Sequence, residues 1–242
     1  MDLAVTRADK GDDLRAALAA HRFGLGEPSL AGIGPDALSW LTRQIGPAEP
    51  QRGTDLVSGV QGVKRFAQFL QGGRSVPSAM PSVTPGTAAP VGMGGAEMAA
   101  AALNPGTDTR AAEQQFGEHF RDIVQADVRA RLSTAALSTQ PFNERLALFW
   151  ANHFTVSMAK ASARGVVGAF EREAIRPHIG GSFETLLKAA VNHAGMLRYL
   201  DNDSSAGPDS PFVRRLVGRA RDAGQPGPRI TGLNENLARE VL

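Results

Sequence analysis

Pro141-Phe142-Asn143-Glu144-Arg145-Leu146-Ala147-Leu148-Phe149-Trp150-Ala151-Asn152-His153-Phe154 opens on proline and then repeats large apolar side chains every three or four residues. Proline suits a first helical position, where the N–H it lacks would have no partner anyway. Phe142, Leu146, Phe149, Trp150, His153 and Phe154 share one wide stripe at the helical period. The stretch is a helix, and the same texture continues on both sides of it.

Upstream, Glu113 to Leu132 places Phe116, Phe120, Ile123, Val124 and Val128 on one side, which predicts an amphipathic helix. Nearer the start, Asp12 to His21 has acids in its first turn and Ala and Leu through its body. Gly34-Pro35-Asp36 opens a second helix carrying Leu38, Leu41 and Ile45, and a third spans Thr54 to Leu70. Downstream, Gly165 to Ile175 is helical and ends before Pro177. Ser182 is an N-cap for Phe183 to Val191, and Met196, Leu197 and Leu200 lie on a short helix ending at Asp201-Asn202-Asp203. Ser204 to Gly232 reads as a long polar connection with five arginines between Val213 and Arg229. The pattern from Leu233 to Leu242 is helical again, with Glu235 and Arg239 at the favourable spacing.

No segment alternates with period two, so the expected fold is all-α: an irregular multi-helix domain with one long interruption. Between Gly72 and Thr109 there are five Pro and seven Gly, and only Arg74, Glu97 and Asp108 are charged. This predicts three parts: an N-terminal helical segment at 1–71, a flexible low-complexity insertion at 72–109, and a main helical segment at 110–242. The last helix stops on Val241-Leu242 without a Gly or Asn cap, which predicts a natural domain that runs further.

Composition narrows the functions. Among 242 residues, 42% are hydrophobic and none is Cys, which excludes a disulfide scaffold, thiolate metal sites and a cysteine nucleophile. A net charge of +2 leaves no electrostatic footprint for nucleic acid. No apolar run is long enough to cross a membrane, and the charged N-terminus lacks the apolar stretch of a signal peptide. The expected location is cytoplasmic by default. Zero Cys fits a reducing compartment and is equally compatible with export.

Five stretches are candidates for chemistry. At 100° per residue Arg145 and Asn152 lie within about 20° of each other, with His153 on the adjoining edge beside Phe149 and Trp150. His153 then reads either as a proton shuttle or ligand, or as a core-edge histidine with a backbone partner. In Glu171-Arg172-Glu173-Ala174-Ile175-Arg176 the two carboxylates fall on different faces and cannot cooperate as acid and base, so a solvated, salt-bridged helix is expected. Asp201-Asn202-Asp203 offers oxygen ligands without the glycine and glutamate of a calcium loop, so an Asx turn is the default. Asn234-Glu235-Asn236 sets two amides around a carboxylate on a short helix, either in a buried polar network or at its surface. The arginines after Val213 are either a solvated loop or a phosphate or acidic-partner site.

The blocks Arg22-Phe23-Gly24-Leu25-Gly26, Pro141 to Arg145, Phe149 to Ser157, Gly168 to His178, Met196 to Asn202 and Gly232 to Glu240 stand in the order found in one bacterial family. The chain resembles the domain-of-unknown-function family numbered eighteen hundred (DUF1800), over most of its length outside 72–109. The resemblance implies a larger helical protein, in which the helix holding Asn234, Glu235 and Asn236 runs on past the point where this chain stops. It implies a His-Asn-His in many relatives where this chain has Ala151-Asn152-His153, so half of any such metal pair is missing here. It also implies a partner, because family members often neighbour genes for a second family that looks like exported sulfatases. It implies no reaction and no cofactor.

The expected function is a helical interaction or assembly protein acting with a protein partner. The rival is a hydrolase whose pocket gathers Arg145, Asn152 and His153 with Asp201, Asn202 and the Asn234, Glu235 and Asn236 helix.

Overall fold

A computed structural model describes residues 3–72, 109–207 and 209–222 of the chain. The predicted insertion and the predicted final helix with Asn234, Glu235 and Asn236 fall almost wholly or wholly outside these residues. Nine α-helices and no strand occur among the described residues, as the helical periodicity requires. They are α1 (Leu3–Phe23), α2 (Ala37–Thr42), α3 (Gly59–Gln71), α4 (Thr109–Leu137), α5 (Pro141–His153), α6 (Val167–Phe170), α7 (Phe183–Asn192), α8 (Ala194–Tyr199) and α9 (Pro211–Asp222).

Helix starts follow local chemistry. Asp36 caps α2 by accepting from the Ser39 N–H at 3.0 Å, and Ser182 caps α7 by accepting from the Thr185 N–H at 3.2 Å. Ser58 and Gln61 form a reciprocal capping box, which starts α3 at Gly59 rather than at Thr54 as expected. Pro141 stands at the first position of α5.

Two expectations fail. The helix expected over 165–175 is α-helical only through Phe170. Glu171–Ile175 forms a π turn, in which the Arg176 N–H reaches back to the Glu171 carbonyl at 2.9 Å. The expected polar connection contains α9, because Ser210 accepts from the Val213 N–H at 3.3 Å and Pro211 opens the first turn. Phe212, Val213, Leu216 and Val217 then recur at helical spacing among the arginines, a period masked by flanking Gly and Pro.

The buried side chains form three clusters. Ala147 of α5 and Phe154 just after it pack with Phe170, Ala174, Ile175, Leu186, Ala190 and Met196. Phe69 of α3 packs with Phe116, Phe120 and Ile123 of α4. Ala16 and Ala19 of α1 pack with Ile33 and Trp40, and Phe142 at the start of α5 joins them. α5 therefore begins against one cluster and ends in another. Its Phe23–Phe142 edge contact, with ring centres 5.7 Å apart, ties α1 to it.

Candidate functional site

The first half of α5 is held by charge. Arg176, fully buried after the π turn, donates Nη1 to Glu144 Oε1 at 2.8 Å and Nη2 to Glu144 Oε2 at 2.6 Å. This is the two-pronged geometry in which arginine and carboxylate bond most strongly. Arg176 Nη1 also donates to Glu171 Oε1 at 3.4 Å, and Nε donates to the Glu49 carbonyl at 2.9 Å. The π turn makes the Glu171 contact possible. Residues five apart lie about 140° apart on an ordinary α-helix, whereas an i to i+5 turn stacks them.

Gln51 extends the cluster. Its Nε2 donates to Glu171 Oε1 at 2.7 Å, and its Oε1 accepts from Arg172 Nη1 at 3.1 Å. Arg172 Nη1 also meets Asp127 Oδ1 at 2.7 Å. Burial works against the charge on Arg176, but the Glu144 and Glu171 carboxylates outweigh it and hold the guanidinium above its ordinary value. For Asp127 the balance is reversed. Burial pushes its carboxyl up, and Arg172 and the Gly168 N–H only partly offset that.

The expected solvated helix at 171–176 is thus corrected: Glu171 and Arg176 are buried and join separate elements. The separation of the two carboxylates does hold. Glu173 turns away to accept from the Gly59 N–H at 2.9 Å and to meet His193 Nε2 at 3.0 Å. His193 Nδ1 accepts from the Gly195 N–H at 3.0 Å, so its ring carries the proton on Nε2 and caps α8. The cluster also satisfies backbone in the loop before α3. Asn143 Nδ2 donates to the Pro47 carbonyl at 3.0 Å, and the Ala48 N–H donates to the Arg176 carbonyl at 2.9 Å.

With its start fixed, α5 carries its far end to the surface. Phe149, part of the apolar stripe, is 57% exposed. Its ring stacks on His153 with centres 6.2 Å apart and lies 5.1 Å from Trp150. Phe183, at the first turn of α7 and 55% exposed, lies 5.8 Å from Trp150 and 6.4 Å from Phe154. Phe149, Trp150 and Phe183 with the His153 imidazole thus form one continuous edge, and buried Phe154 backs it. Close contact of Gly180 with the Gly46 backbone brings the loop with exposed Ile45 against the turn before α7. Pairing Phe183 with α5 needed the tertiary fold, because nothing local to either segment announces it.

The expected site residues take separate tasks. Asn152 and His153 are exposed on the aromatic edge, where the His153 ring lies against Phe149 and Trp150. Arg145, also on α5, donates Nη1 to the Gly24 carbonyl at 2.8 Å and so fastens the turn after α1. Asp201 follows α8 in the left-handed region (φ 56°) and pairs with Lys160 Nζ at 2.5 Å, while Asn202 begins a 3₁₀ turn. Asn234, Glu235 and Asn236 lie outside the described residues. Among the described residues no three His, Asp or Glu side chains gather as a metal site, and no helix is long and apolar enough to cross a membrane.

Fold and site define an all-α protein with a buried ion cluster behind a solvent-facing aromatic edge. Its residues 18–242 match the family described as "Protein of unknown function (DUF1800)", and the chain belongs to that family. No curated protein and no solved structure matches it.

Proposed function

We propose that the protein is a helical interaction protein that acts with a protein partner, the sulfatase-like family that neighbours its relatives, and that the partner docks on the aromatic edge. The observation that carries this is the joint exposure of Phe149 and Phe183 at more than half, with Trp150 between them. Burying one such side chain is worth about 1.5–3 kcal/mol, so a contiguous exposed set is a standing gain for whatever covers it. Aromatic anchors flanked by hydrogen-bonding groups dominate protein interfaces, and Asn152 and His153 supply those groups here.

Co-expression with the sulfatase-like neighbour and a binding titration test it. Phe149→Ser and Phe183→Ser should each weaken the complex by about tenfold or more while the helical circular dichroism stays unchanged. A folded protein that forms no complex, or a complex indifferent to both substitutions, would falsify the proposal.

A further inference from the structure

We infer that α9 seats the protein on an anionic phospholipid surface. Its four arginines, 214, 215, 219 and 221, stand against Asp222 alone. That net of +3 on 12 residues exceeds the +2 of the whole chain, so the remainder is not basic. Val213 is 6% exposed and anchors the helix to the body, and all four arginines are exposed. At 100° per residue, Arg215 and Arg219 lie about 40° apart and Phe212 about 20° beyond Arg219, on one shoulder of the helix.

Arg215 and Arg219 are a like-charge pair at i and i+4, an arrangement that weakens a helix unless an anion sits over it. Among the described residues no carboxylate side chain pairs with any of the four. The Arg214 guanidinium donates to the Asp209 backbone carbonyl at 2.9 and 2.7 Å. Phe212 is 64% exposed and Val217 45% exposed, one at each margin of the arginine arc.

The shape of this surface selects the partner. The arginines spread over an arc of about 160° and do not converge as they would on a single carboxylate or phosphate. A lipid surface offers many headgroup phosphates over a wide area, with an apolar layer just beneath that receives Phe212. The attraction is electrostatic, arginines on headgroup phosphates, with Phe212 at the margin of the arc adding an apolar contact while the face that holds Val213 packs on the body.

Sedimentation of the whole chain with phosphatidylcholine vesicles, with and without phosphatidylglycerol, tests the inference. The chain should pellet with the phosphatidylglycerol vesicles and stay in solution with phosphatidylcholine alone, and added salt should release it. Arg215→Glu with Arg219→Glu should lower the partition coefficient about tenfold or more, and Phe212→Ser severalfold. Should the charge reversals disturb the helical circular dichroism, Arg215→Gln with Arg219→Gln serves instead and should lose about tenfold. No pelleting with phosphatidylglycerol by the folded chain overturns the inference, as does pelleting that these substitutions leave unchanged. Capture of an acidic protein through the same arginines, with no vesicle binding, also overturns it.

Discussion

Asp127 shows how one carboxyl is set by its surroundings. It projects from α4 against Gly168, where a Cβ would collide with the carboxyl group, and it meets Arg172 at 2.7 Å. Burial raises its folded-state pKa despite that partner. A raised value means that the protonated form favours the folded state. This contribution is complete below the ordinary value of 3.8 and is lost as pH rises through the higher folded value. Asp127→Asn keeps a neutral group of the same size at every pH. The melting temperature of the variant, measured against the parent, should therefore climb as pH rises above 3.8 and level off once pH passes the raised folded value. A difference that stays flat or falls over that window would show that the Arg172 pair outweighs desolvation.

Between elements, Arg176 is the clasp, joining α5 through Glu144, the π turn through Glu171 and the loop before α3 through the Glu49 carbonyl. Removing it strands the buried Glu144 carboxylate, while Glu171 keeps Gln51 at 2.7 Å and Arg131 at 3.3 Å. Arg176→Ala should cost about 3–5 kcal/mol in urea denaturation, and a loss under about 1 kcal/mol would mean the cluster is solvated. Much of the element list was legible from caps and period: Asp36, Ser182 and Pro141 mark helix starts in sequence and in structure. The π turn was not, because an extra residue in one turn leaves no trace in a 3.6-residue pattern. Nor was the burial of Glu171 and Arg176, since charged residues are expected outside unless paired and their partners come from distant segments. α9 was missed because four arginines in 12 residues resemble a loop until Phe212, Val213, Leu216 and Val217 are set on a wheel.

Across the whole molecule, the same α5 that begins in a buried ion cluster ends in exposed aromatic rings. Its start is over-determined by hydrogen bonds, so the edge it presents is rigid, and a rigid edge binds without a large ordering cost. Asn152 and His153 were legible as a polar border to an aromatic stripe; the exposure of that stripe and the addition of Phe183 belong to the tertiary fold. The chain has two Trp residues, Trp40 buried at 8% exposure and Trp150 at the centre of the edge, which gives the interface its own reporter. The most direct test is a titration of a Trp40→Phe protein with a tryptophan-free variant of the sulfatase-like partner, recording Trp150 emission while complex formation is followed independently by ultracentrifugation. Docking on the aromatic edge predicts a blue shift that saturates with the complex. A complex that forms with Trp150 emission unchanged, or no complex at all, would contradict it.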